Sequence, residues 1–192
     1  MGARCKSVAT PLTTIEKLKK EDGAKEADAA AYRSLIGSLL YLAATRPDIM
    51  YATSLLSRFM QCPSQIHFGA AKRVLRYIQG TKDFGIWYKP SSHSTLTGFT
   101  NSDWAGSVDD MRSTSGYCFN LGTGVFSWGS KKQGSVAQST AEAEYVAAAG
   151  ATNQAIWQSK ILKDMGAKQQ LPIVIYCDNK SAIAMEKESC LS

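Results

Sequence analysis

Two apolar runs in this sequence stop at residues that can hold a cation. "TLTGFTNSD" ends in Asn101 and Asp103, and "IVIYCD" ends in Asp178. An Ala-rich stretch, "STAEAEYVAAAG", brings Glu142 and Glu144. Ligands of open α/β sheets gather outside the carboxyl ends of strands, so the first two runs belong at one edge if both are strands. The two glutamates lie about 200° apart on a helix, so only one can face that edge. Tyr145, Ala148 and Ala149 read as the packed side, with Glu144 beside them, while Glu142 suits the helix dipole in the first turn. Both acids would also serve a plain helix start. A cluster of carboxylates repels itself unless cations hold it, and oxygen-only ligands with no His or Cys nearby suit Mg²⁺ or Mn²⁺. Two such ions about 4 Å apart can activate a water and stabilise the leaving oxygen of a phosphodiester. The metal set read from the sequence is Glu144, Asp178 and Asp103. Asp103 is the partial substitute for the uncharged Asn101, because residues i and i+2 of a strand share a face.

The elements that must position these groups follow from periodicity. Residues 1–28 read as a flexible lead-in, with the charged stretch "EKLKKEDGAKEAD". Residues 29–90 read as a helical segment. Tyr32, Leu35, Ile36, Leu39 and Leu40 mark one helix, Pro47 in "TRPD" breaks it, and Ile49, Ala52, Leu55, Leu56 and Phe59 mark a second. A third starts near "PSQ" with Phe68, Ala71, Val74, Leu75 and Ile78 on one face, and stops at Gly80. "GIWYK" has a short strand character and "PSSHS" that of a linker. From residue 94 to 192 the order is "TLTGFTN", "GYCFNL" and "GVFSW" as strands, a long helix from about Ser139, "IVIYCD" as a strand buried on both faces, and a last helix from "NKSAIA". Gly122 and Thr123 join the second and third strands as a hairpin. The fold class is α/β, an antiparallel meander feeding a parallel crossover.

The net charge of +6 suits an anionic partner such as nucleic acid. Lys72, Arg73 and Arg76 share one helical stripe that is either a solvated face or a phosphate-tracking one. Arg112, in a polar turn between the first two strands, and Lys131 and Lys132, just before the long helix, are either further phosphate contacts or a plain turn and a solvated loop. Five cysteines, widely spaced and without a C-x-x-C pair, argue against a disulfide framework and a zinc site. The longest apolar stretch falls short of a membrane span, so the expected setting is intracellular, cytoplasmic or nuclear.

At "GFTNSDWAG", "STSGYCF", "FSWGSKKQ", "STAEAEYVA" and "IYCDNKSAI", in that order, the chain resembles the ribonuclease H domain in the Pol polyprotein of copia-type LTR retrotransposons. Upstream, "YRSLIGSLLYLAATRPDIMYATSLLSRFM" and "AAKRVLRYIQGT" are similar to the stretch that joins reverse transcriptase to that domain. The resemblance covers nearly everything from about residue 5 to 187. It implies a ribonuclease H-like mixed sheet, C-terminally truncated and preceded by a helical segment. The implied activity is a Mg²⁺- or Mn²⁺-dependent endonuclease that cuts the RNA strand of an RNA–DNA hybrid, beside the remaining reverse transcriptase region. Glu144 and Asp178 match two of the family's metal-binding acids. Asn101 stands where the family has its first Asp, which implies weakened or lost catalysis, or a remnant that only binds nucleic acid or protein.

Overall fold

The computed structural model describes residues 6–13, 17–90 and 95–189, with side chains through 185. Most of the expected linker, residues 91–94, lies outside them. The chain divides into two compact units, Met1–Gly85 and Ile86–Ser192.

The first unit is helical. It contains α1 (Ala29–Ala43), a 3₁₀ turn (Pro47–Ile49), α2 (Met50–Ser57) and α3 (Gln65–Gly80). Asp28 caps α1 through its carboxylate, which accepts from the Ala30 and Ala31 N–H groups. The core is built from the periodic positions Tyr32, Ile36, Leu39, Ile49, Ala52, Leu56, Phe59, Ala71 and Val74. Leu40 and Leu75 belong to the solvent side instead, each one residue, and so about 100°, past a core position. Pro47 opens the 3₁₀ turn, where its missing N–H costs nothing.

The described part of the lead-in is tied to this unit rather than loose. Val8, Leu12 and Leu18 pack against the helical core. The Gln65 N–H donates to Lys25 O at 2.9 Å and the Ala27 N–H to Pro63 O at 2.9 Å. Ser64 caps α3, with its hydroxyl accepting from the His67 N–H and its own N–H donating to His67 Nδ1. Ser64, His67 and Asp22 resemble a nucleophile, base and acid. They work as a cap: the imidazole is fully buried and stacked on Phe59 at 3.9 Å, and Nδ1 already accepts a backbone N–H.

The second unit is a four-stranded sheet with two helices. Its strands are β1 (Leu96–Asp103), β2 (Thr114–Leu121), β3 (Gly124–Lys132) and β4 (Val174–Tyr176), in the order β3-β2-β1-β4. The first three form the expected antiparallel meander, and β4 lies parallel to β1 after the crossover through α4 (Thr140–Asp164); α5 (Lys180–Ser189) follows. The chain is therefore an α/β fold with a mixed sheet. Gly122, at φ 69°, makes the two-residue β2–β3 loop. Residues 86–89 form no strand; the Tyr88 hydroxyl donates to Val125 O and the Lys89 N–H to the Thr123 hydroxyl, side-chain bonds that replace a ladder.

Two further expectations need correction. β4 is not buried on both faces: Ile175 packs inward, whereas Val174 and Tyr176 are about half exposed. Helix α4 covers one face only, and on the other Tyr176 stacks on Phe99 at 5.2 Å. The packed stripe of α4 is also different. Ala143, Glu144, Ala147, Ala151, Ala155, Gln158 and Leu162 face the sheet, while Tyr145 and Ala149 face solvent. The small alanines let the helix approach β1 closely, which is why Ala and not the aromatic lies inside.

Candidate metal centre

Ser139 starts the site by capping α4. Its hydroxyl accepts from the Glu142 N–H at 3.1 Å, and the Glu142 carboxylate accepts from the Gln138 N–H at 2.7 Å. Glu142 is thus spent on the helix end. Two residues on, Glu144 enters the packed stripe and is only 6% exposed. Its Oε1 accepts the Ser102 N–H of β1 at 2.9 Å, and the Cys177 thiol points at its Oε2 at 3.9 Å. Ligand atoms of Glu144, Cys177 and Asp178 all lie within 4.8 Å of one another. The helix acid and the β4 acid therefore meet at the carboxyl ends of two parallel neighbours, as the strand-end argument expects.

The electrostatics follow from the burial. Loss of water raises the Glu144 carboxyl above the ordinary value, and the nearby Asp178 charge pushes it the same way; the Ser102 N–H and the Cys177 thiol offset part of this. Among the described residues no Lys, Arg or His pairs with Glu144 or Asp178. A buried carboxylate beside a second acid and without a countercharge is costly, and a divalent cation is the group that would relieve it. By donor chemistry and spacing, the residues fit such an ion.

Asn101 and Asp103 part company. The β1–β4 register pairs Phe99 with Tyr176, and carried two residues on it sets Asn101 abreast of Asp178. Asn101 is exposed on the pleat that also carries Phe99. Asp103 does not join the cluster, because its carboxylate accepts the Thr114 N–H of β2. A Cβ on Gly106 would strike that carboxylate, so the chain folds back on it immediately. Ala105 and Met111 take left-handed φ angles of 50° and 56° in this connection, which marks how sharply β1 ends.

Two residues that sequence reasoning missed complete the surroundings. Gln133, 5% exposed at the end of β3, donates its amide to Ser102 Oγ, Ser115 Oγ and Ala143 O at 3.2, 2.9 and 2.9 Å. One side chain thereby ties β1, β2 and the first turn of α4 at the level of Glu144. Cys177 had a visible signal, its place next to Asp178 at a strand end; Gln133 had none, since it follows two lysines.

Comparisons with known proteins find relatives along nearly the whole chain. The chain is 45% identical over 177 residues, 92% of its length, to the retrovirus-related Pol polyprotein from transposon RE2 of Arabidopsis thaliana, and 44% identical to that from transposon RE1 over the same share. It is 40% identical over 96% of its length to the Pol polyprotein from transposon TNT 1-94 of Nicotiana tabacum. The chain belongs to the copia-type retrotransposon Pol family. It spans 12% of the first two relatives and 14% of the third. No family model and no solved structure matches.

In this Pol segment the basic candidates are mostly engaged. Arg73 donates to the Thr10 hydroxyl at 3.0 Å and Arg76 to Lys6 O at 2.7 Å, so both hold the lead-in against α3. Lys72 lies over the Phe68 ring at 4.5 Å. Asp110, in the β1–β2 connection, takes Lys132 at 2.7 Å and Arg112 at 3.7 Å. Burial alone would raise the Asp110 carboxyl, yet bonds from Lys132, the Ser107 hydroxyl and the Arg112 N–H hold it at about 2. Lys131 is exposed on the outer half of the β3 end. No helix of the described residues is long and apolar enough to cross a membrane.

Proposed function

We propose that this segment is the ribonuclease H-like part of its Pol polyprotein, on the plan of a metal-dependent endonuclease cutting the RNA strand of an RNA–DNA hybrid, with cleavage weakened by Asn101. The observation that carries the reading is the meeting of a buried helix acid, Glu144, with a strand-end acid, Asp178, at the tip of β1. Glu144 and Asp178 would hold Mg²⁺ or Mn²⁺, which when bound supplies a Lewis acid for the scissile phosphate and an acidified water. The chain's own part is orientation. The Ser102 N–H fixes one Glu144 oxygen, and Gln133 fixes the strand and helix turn on either side of it.

Asn101 favours a second reading, a remnant that binds nucleic acid or protein without cutting. An amide oxygen still coordinates but brings no charge. Mn²⁺-dependent cleavage of a labelled RNA–DNA hybrid separates the two, and its partner in the cell would be such a hybrid beside the reverse transcriptase region. Weak cutting that Glu144→Gln abolishes supports the nuclease; salt-sensitive binding with no cutting at any Mn²⁺ concentration supports the remnant.

The electrostatic contact with nucleic acid has its own test. Asp110→Asn releases Lys132 and Arg112 from their shared carboxylate, and each freed cation that reaches a phosphate steepens the salt dependence by about one unit. Filter binding at two salt concentrations is expected to show affinity at the lower salt rising about three- to tenfold. Unchanged affinity and slope would mean these cations do not face the nucleic acid.

A further inference from the structure

We propose that Glu144, Cys177 and Asp178 form a three-ligand site for a thiophilic divalent cation of the Zn²⁺ class, with the Cys177 sulfur as a direct ligand. The proposal rests on the convergence of Glu144 and Asp178 invoked above, though not on hybrid cleavage.

Three observations carry it. First, the thiol is one of three groups whose ligand atoms lie within 4.8 Å of one another. Second, the spacing suits sulfur. Bonds of about 2.3 Å to sulfur and about 2.0 Å to oxygen at a tetrahedral angle put the two ligands about 3.5 Å apart. The Cys177 sulfur lies 3.9 Å from Glu144 Oε2, so a shift of a few tenths of an ångström closes that edge. An oxygen pair on Mg²⁺, with bonds of about 2.1 Å at right angles, stands about 3.0 Å apart, and Mg²⁺ does not take thiolates. Third, the buried Glu144 charge has no cation among the described residues, so a two-plus ion relieves both carboxylates at once. Asp178 is exposed, which leaves an open path for the ion and a fourth position for water.

Binding exchanges one bond for another without redox change. The sulfur–hydrogen bond breaks, the proton leaves to water, and the sulfur lone pair binds the ion. A Zn²⁺ held this way occupies the same two carboxylates that Mg²⁺ or Mn²⁺ would use, so the thiol makes the site a competitor between metal classes.

The experiment compares the unaltered chain with Cys177→Ser, titrating Cd²⁺ while following the sulfur-to-cadmium charge-transfer absorption, and measuring Zn²⁺ and Mn²⁺ binding by equilibrium dialysis. Cys62→Ser, which removes an exposed thiol, is the control. In the unaltered chain and the control, Cd²⁺ gives the band at one equivalent. In Cys177→Ser the band disappears and Zn²⁺ affinity falls at least about a hundredfold, the share of one ligand in a zinc site. Mn²⁺ affinity stays within about threefold, because its ligands are the carboxylates. A band that survives Cys177→Ser, or unchanged Zn²⁺ affinity, overturns the proposal. Should Cys177→Ser fail to fold by circular dichroism, Glu144→Gln takes its place, with a loss of Zn²⁺ affinity expected and none overturning it. Zn²⁺ binding that depends on Cys177 in a chain that never cuts hybrid would sink the nuclease reading and leave this site standing.

Discussion

On the nuclease reading proposed above, Asn101→Asp is expected to raise Mn²⁺-dependent cleavage of an RNA–DNA hybrid by about a hundredfold and to tighten Mn²⁺ binding in parallel. Carried two residues past its last pair, Phe99 with Tyr176, the β1–β4 register sets residue 101 abreast of Asp178, so a carboxylate there would add its charge beside that acid. A unit charge pair at about 4 Å in an effective dielectric near 20 is worth about 4 kcal/mol, and a divalent ion doubles that as an upper bound. Discounted to about a third of the doubled figure, the gain is still close to a hundredfold in rate. The same substitution has an opposite effect on the metal-free chain. A third acid beside Glu144, already raised by burial and by Asp178, adds repulsion, so Asn101→Asp should lower the melting temperature without Mn²⁺ and raise it above the parent with Mn²⁺. Thermal scans with and without the ion check this crossing. Parallel curves for parent and variant would mean that residue 101 does not reach the ion, and Asn101 would lose its place in the account of weakened catalysis.

Legibility in the sequence followed chemical type more closely than packing. Glu144 and Asp178 were readable because strand-end acids and a helix phase are local properties. Even so, the neighbour relation that points to Glu144 in the sequence is one the fold reverses: the interior stripe runs through Ala143, Ala147 and Ala151, and Tyr145 points out. Asp103 looked equivalent to Asn101 by alternation alone. What removes it is a backbone N–H from Thr114, eleven residues away, and a turn tight enough to need Gly106. Of the basic stripe of α3, Arg73 and Arg76 each give a donor to the lead-in, whose apolar Val8, Leu12 and Leu18 are too sparse to show a period. Exposure of β4 on one face could not be read from "IVIYCD", because an unbroken apolar run does not say how many layers cover it.

The same limit applies to "TRPD", legible as a helix break and silent about the ion pair inside it, where the largest stability effect is expected. Arg46 is nearly buried and spends four donor contacts: two on the Asp48 carboxylate at 2.9 and 2.6 Å, one on Thr81 O at 3.1 Å and one on Thr81 Oγ1 at 2.7 Å. The Tyr77 hydroxyl donates to the same carboxylate at 2.8 Å. These bonds clamp the 3₁₀ turn to the C-terminal end of α3. Arg46→Ala removes the Asp48 countercharge, leaving that carboxylate only the Tyr77 hydroxyl, and should cost about 3 kcal/mol in urea unfolding followed by circular dichroism. Arg46→Lys should recover less than half, since an ammonium cannot make the planar fork to carboxylate and threonine together. The pH dependence separates this network from mere packing. The Arg46 hydrogen bond, working against burial and assisted by Tyr77, holds the Asp48 carboxyl below its ordinary 3.8. A carboxylate lowered in the folded state stabilises above its unfolded value, and that contribution is lost as pH falls through the folded one. The gap between parent and Arg46→Ala is therefore expected to be full near neutral pH and to narrow below about pH 4. A gap that stays constant down to pH 2 would assign the loss to packing of the guanidinium stem and not to the ion pair.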